Sequence, residues 1–199
     1  MNQKNLFFGF LMGLFLVGAA FTTVKVETFT ADVEKSVINW KAYKVTGEHY
    51  GTINLKSGSL DYTDGALTGG SFVIDMTSIA IGDLEGEWAG KLQGHLSSPD
   101  FFNVKEFPEA TFQVTRVISR GTPGDYKVIG DLTIKGISKE IKFITSIDEK
   151  ADQPTATAKV TIDRSEFDIR YGSGSFFDNL GDKTIYDEFD LEVNLVVNK

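Results

Sequence analysis

The sequence predicts an all-β fold, a sandwich or barrel of about eight antiparallel strands with one short helix capping an end. Three observations predict it. Apolar and polar residues alternate in segment after segment, and side chains on a strand point to opposite faces with a period of two. Turn-forming residues separate those segments at short intervals. Between Leu84 and Leu96 alone, the apolar spacing changes from two to four, which is one stripe of a helix.

The pattern is sharpest from Tyr126 to Ile147. Tyr126, Val128, Leu132 and Ile134 hold alternate positions, and a second alternation runs through Ile137, Ile141, Phe143, Thr145 and Ile147. Lys135-Gly136 lies between them, and Gly136 suits a tight reversal because it lacks a Cβ. This hairpin needs an apolar interior to face.

The remaining elements follow in order. Ile38, Trp40 and Ala42 alternate against Asn39, Lys41 and Tyr43. Gly47 and Gly51 bracket His49 in an expected bend; Ile53 and Leu55 resume a strand, Gly58 is expected to break it, and Leu60 and Tyr62 continue it. Asp64-Gly65 is a hairpin signal. The strand from Gly70 to Met76 turns Phe72, Ile74 and Met76 to one face. The helix carries Leu84, Trp88, Leu92 and Leu96 and is expected to end before Pro99. Gly86, Gly90 and Gly94 weaken it by about 1 kcal/mol each relative to alanine. Phe101 and Phe102 follow in a turn. Ala110, Phe112 and Val114 face inward on the next strand, and Ala156 to Ile162 forms another. Arg164 to Gly181 is irregular, with Phe167 among glycines and charges. Ile185, Phe189, Leu191, Val193, Leu195 and Val197 mark the last strand.

The chain has 199 residues, 41% hydrophobic and 24% charged, an ordinary globular composition with room for one good core. No internal repeat or linker interrupts it, so one domain is expected. Its formal net charge of −8 argues against binding nucleic acid or an anionic membrane surface by charge. It contains no cysteine, which excludes disulfides, thiolate nucleophiles and thiolate zinc sites. Residues 1–20 read as a cleaved signal peptide: Lys4, an apolar run from Leu6 to Val17, then Gly18-Ala19-Ala20. Residues 21–29 are expected as an N-terminal segment, and the barrel domain over 30–199. The expected location is the periplasm or outside the cell.

His95-Leu96-Ser97-Ser98-Pro99-Asp100-Phe101-Phe102-Asn103-Val104, followed by Phe107-Pro108-Glu109-Ala110-Thr111-Phe112, resembles the H-L-x-S-x-D-F-F-D-V … P-x-x-x-F block of the YceI-like family. Gly130-Asp131-Leu132-Thr133-Ile134-Lys135-Gly136 is similar to that family's G-D-L-T-I-K-G, and Ser36-Val37-Ile38-Asn39-Trp40 to its opening strand. Asn103 stands where Asp is usual, and Asp168 where the family's R-x-D-F-G-I has glycine. The resemblance runs from about Thr30 to Val197. It implies an extended lipocalin-like barrel, exported, that holds a polyisoprenoid or similar long-chain lipid in its lumen.

The ligand wall expected on that basis comprises Trp40, Phe72, Ile74, Trp88, Leu92, Phe112, Val114, Leu132, Ile134, Phe143, Phe167 and Phe189, with His95 and Arg164 as candidate head-group contacts. Each aromatic has packed core as its competing role. No catalytic residue, metal or cofactor is expected. His49 and His95 are the only imidazoles, and a structural hydrogen bond explains either better than a metal pair or a general base. Asp75, Asp83, Glu85 and Glu87 lack calcium-loop spacing. Gly172-Ser173-Gly174-Ser175 is neither a nucleophile elbow nor a phosphate loop. The expected partner is a lipid, with transient membrane contact allowed, no nucleic acid, and the oligomeric state, a homodimer included, left open. The rival readings are a solid-cored barrel that binds a protein partner, and a lipid-modifying enzyme.

Overall fold

The computed structural model describes residues 24–148, 151 and 153–198. The expected signal peptide, residues 1–20, lies outside the described residues. Among the described residues there are nine strands: β1 (Val26–Ala31), β2 (Val37–Lys44), β3 (Gly47–Thr63), β4 (Ala66–Ile81), β5 (Glu109–Ser119), β6 (Asp125–Ile134), β7 (Ile137–Asp148), β8 (Thr155–Asp163) and β9 (Ile185–Asn198). Helix α1 (Gly86–Ser97) connects β4 to β5.

From β2 to β9 each strand pairs antiparallel with the next, and β9 closes on β2. Closure removes the exposed edges that an open sheet would leave. β1 occupies the same slot as β2. It pairs with β3 at residues 59–63 and with β9 at 197–198, where β2 pairs with β3 at 47–53 and with β9 at 185–194. The nine strands therefore fill eight barrel positions. The segment 21–29 contributes Val26–Phe29 to β1.

Two hairpins form as their turn residues dictate. Asp64 and Gly65 take φ of 50° and 80°, and Lys135 and Gly136 take 51° and 74°. Positive φ at both central residues gives the turn whose twist matches the flanking strands. Gly58 differs from expectation: it does not end a strand but lies inside the 17-residue β3, opposite Phe72. A Cβ at Gly58 would stand 2.5 Å from the Phe72 ring, so the ring fills the space that a side chain would take. His49, expected in a bend, is paired with Ala42 within β3.

The two ends of the barrel differ. At the β1 end, Leu60, Tyr62, Leu67, Val128, Ile147, Leu195 and Val197 are all buried, and Phe29 stacks on Tyr62 at 4.9 Å between ring centroids. At the other end lie α1, the β2–β3 and β6–β7 hairpins, and the excursion between β8 and β9. Helix α1 is tied to β4 by Gln93 Nε2, which donates to the Ile79 carbonyl at 2.7 Å.

A candidate lipid cavity

The lumen is hollow. A cavity of about 450 Å³ runs from α1 to the packed β1 end, within the ~300–1,000 Å³ span of small-molecule sites. Its lining is almost wholly apolar. Trp40, Phe72, Ile74, Phe143 and Phe189 face inward by strand alternation yet are only partly buried. They pack against the buried cluster on one side and border the open space of the cavity on the other, which is the difference from a close-packed core. The lumen of a solid-cored barrel would bury them fully.

Three neighbouring walls are built from the alternating faces. Trp40 on β2 and Phe189 on β9 form one, and Phe72 and Ile74 on β4 with Phe112 and Val114 on β5 form the next. Leu132 and Ile134 on β6 and Phe143 on β7 form the third, and Leu92 on α1 contributes to the cap. Phe72 stacks near Phe112 at 6.5 Å and Phe112 tilts on Phe143 at 5.5 Å, an aromatic belt across β4 to β7. The Trp40 indole N–H is shared between the carbonyls of Thr52 and Ala80, both at 3.2 Å.

Two expected wall residues lie elsewhere. Trp88 is 68% exposed on the outside of α1, with Lys91 Nζ 4.8 Å from its ring centroid. Leu84, expected in the helix, lies ahead of α1; steps of four residues advance about 40° around a helix, so over the two steps from Leu96 back to Trp88 the stripe turns away from the lumen. Leu92 and Leu96 reach the cavity and Trp88 does not. Phe167 is fully buried in solid core outside the cavity lining. After Asp163 the chain winds into a 3-10 turn, Arg164–Phe167, so strand alternation no longer sets its direction.

The charged and imidazole lining groups, Lys44, His49, His95 and Arg164, gather at the helix end. Arg164 is 3% exposed and donates to the carbonyls of Ile169 (2.7 Å), Ile185 (3.0 Å) and Tyr186 (3.2 Å). Asp187 lies 3.3 Å away, and the guanidinium sits 5.4 Å from the Phe101 ring centroid. Burial lowers its pKa from the usual guanidinium value, against the opposing pull of Asp187 and Asp163. Arg164 thus clamps the start of β9 to the β8–β9 excursion. His95, in the last turn of α1, meets the rings of Phe101 at 5.4 Å and Tyr171 at 4.4 Å, both near edge-on. His49 Nδ1 lies 2.7 Å from Asp83 Oδ2. Burial works against ionising Asp83, but the hydrogen bonds from His49 and the Tyr50 N–H prevail and hold its pKa below the ordinary value. Tyr43, Lys44 and Tyr186 complete the rim. Among the described residues, no group of three or more His, Asp or Glu could hold a metal.

Tyr171 and Tyr186 line the cavity without having been singled out. Tyr171 falls in the aperiodic excursion and Tyr186 in outward register on β9, so alternation could not mark either. Phe101 and Phe102, expected in a turn after the helix, lie in the lining.

An antiparallel barrel closed strand to strand, packed at one end and hollow behind a helix, is the lipocalin-type class of single-barrel proteins with an internal cavity. A YceI-like domain model matches residues 29–197, and the chain belongs to that family. A UPF0312 protein of Pectobacterium atrosepticum is 35% identical over 81 residues, 38% of this chain and 41% of that protein. One from Yersinia pestis is 31% identical over 107 residues, 53% and 52% respectively. The matched region thus spans about half or less of these relatives' lengths. Burkholderia cenocepacia BcnA superposes with a TM-score of 0.70 at 22% identity, covering 84% of this chain and 99% of that one. A polyisoprenoid-binding domain from Saccharophagus degradans gives 0.61 at 14% identity, covering 85% and 97%. At these identities the likeness is one of fold.

Proposed function

We propose that this protein is an exported lipid-binding barrel that holds a polyisoprenoid or similar long-chain amphipathic lipid in its lumen, for transport, storage or sequestration. The observation that carries this reading is the aromatic-belted apolar cavity of about 450 Å³, open space enclosed by side chains that a solid core would have interlocked. Each methylene taken from water into such a slot contributes about 0.8 kcal/mol before the chain's ordering cost. The Saccharophagus domain, described as polyisoprenoid-binding, supports the same choice of ligand. The apolar run Leu6 to Val17 supports export to the periplasm or beyond.

The role is binding without catalysis. Arg164 and His49 at the rim are engaged by structural partners, and among the described residues the walls bring no nucleophile together with a base. The lipid is a ligand, with no further cofactor.

The test is native mass spectrometry of the purified protein followed by organic extraction, with thermal shift on adding prenyl lipids. A co-purifying long-chain lipid and a raised Tm are expected, because a ligand of the folded state stabilises it. No bound lipid together with no shift would overturn the reading.

A further inference from the structure

A lumen that holds a lipid must exchange it with something. Resting on the lipid-binding reading, we infer that the helix end of the barrel docks mouth first on a bilayer of zwitterionic phospholipid.

Among the described residues six aromatic side chains are exposed: Tyr50, Trp88, Tyr171, Phe176, Phe177 and Tyr186. All six belong to the elements around the cavity mouth, whereas the packed end exposes Val24 and Val26 but no aromatic ring. Trp88 stands in the first turn of α1, and Tyr50 lies against Gly82 just ahead of that helix. Phe176 and Phe177 belong to the β8–β9 excursion, where their N–H groups turn back onto the Ser173 carbonyl. These elements touch one another. The His95 ring on α1 meets Tyr171 at 4.4 Å, His49 beside Tyr50 reaches Asp83, and the Val45 N–H donates to the Thr184 carbonyl at 3.1 Å. Tyr171 and Tyr186 also line the cavity, so the collar of rings runs into the lumen wall.

Trp and Tyr, apolar in body and polar at the tip, gather where water meets lipid. Charge selects the kind of bilayer. Two cations of the collar are already neutralised: Lys91 sits over the Trp88 ring and pairs with Glu87, and Arg170 sits over the Phe176 ring and pairs with Asp168. Residues 82–98 and 164–184 together carry seven carboxylates and four Lys or Arg. An anionic lipid surface repels that excess, whereas zwitterionic head groups present both signs. A protein partner could cover the rings, but it would gain nothing from their encircling the mouth of an apolar cavity. A bilayer gains a path for its own lipid from acyl chains to lumen without a crossing of water.

The test is co-flotation of the full protein with vesicles of phosphatidylcholine, compared with vesicles of phosphatidylcholine mixed with phosphatidylglycerol. The wild type should float with the first and bind the second more weakly at low salt, the difference closing as salt is raised. Trp88→Ser combined with Phe177→Ser changes two exposed positions and keeps the fold; it should weaken binding at least about tenfold, as withdrawing two rings from an apolar phase requires. Val26→Ser, exposed at the packed end, should leave binding unchanged. Absence of flotation with phosphatidylcholine, tighter binding to the mixed vesicles, undiminished binding by the double variant, or an equal loss in Val26→Ser overturns the inference. So does self-association that the double variant abolishes in a protein that binds no vesicle, because the rings would then serve a second copy. The two wild-type measurements decide even if the double variant does not fold. Failure to float by a protein that carries a lipid in its lumen brings down the docking alone; an empty lumen in a protein that still floats brings down the lipid reading alone.

Discussion

The Phe112 ring lies over Gly130 on the neighbouring strand, where a Cβ would stand 2.6 Å from its Cζ. The missing side chain lets the ring lie across β6 and touch Phe143 on β7, with 5.5 Å between centroids. The aromatic belt therefore depends on a glycine as much as on its rings. A Cβ there would also stand 2.5 Å from the Gln113 carbonyl oxygen, so the backbone itself would have to move. Gly130→Ala is expected to destabilise the fold by about 1–3 kcal/mol, read as a lowered denaturant midpoint at unchanged slope. Unchanged stability would show that the ring shifts freely and that the belt is not built on this contact.

Arg164 should act as a structural clamp. Replacing it by Ala leaves three carbonyls without their donor and Asp187 without its counter-ion. A loss of about 3–5 kcal/mol is expected, as when one partner of a buried pair is removed. Lys at this position should recover only part, because it lacks the planar fork that reaches separate carbonyls. Equal stability of Arg164→Lys and the wild type in chemical denaturation would contradict the assignment.

Asp168 offers a change in the opposite direction. It holds φ of 56°, a left-handed conformation that glycine adopts without strain, at the position where the family motif has glycine. Its carboxylate also meets Arg170, but that pair is exposed and worth little. Asp168→Gly is expected to raise stability by about 0.5–1 kcal/mol. A fall in Tm would mean that the ion pair outweighs the backbone.

Acid should weaken the barrel near pH 4. Hydrogen bonds from Thr161 and Tyr43 hold Asp190 below the ordinary carboxylate pKa of 3.8, and Asp83 is held down by His49 and Tyr50. A carboxylate with a depressed folded-state pKa contributes stability that is present above its unfolded value and is lost as pH falls through the folded one. Stability should therefore drop as pH falls below about 4, and Asp190→Asn should flatten that part of the curve. An identical acid limb in the variant would remove Asp190 from the account.

Alternation made most of the barrel legible, because its eight positions are filled by two-faced strands and two of its hairpins turn on Asp64-Gly65 and Lys135-Gly136. It misled at Gly58, since a glycine that breaks a pattern in sequence is filled in space by Phe72 from the next strand. The helix was legible, but its inner face was not. A four-residue spacing rotates, and Trp88 ends outside while Leu92 stays in. Phe167 and Tyr171 sit where the chain leaves the sheet, beyond the reach of periodicity. The partners of Arg164 are backbone carbonyls, which no residue pattern displays.

The opposite placement of the two tryptophans allows the central claim to be tested directly. Trp40 lines the lumen and Trp88 faces solvent. A long-chain lipid brominated along its tail quenches only indoles that it touches. In Trp88→Phe, where Trp40 is the remaining indole, the lipid should quench fluorescence in a saturable way; in Trp40→Phe it should not. Quenching confined to Trp88, or absent from both variants, would contradict a lipid held inside the barrel.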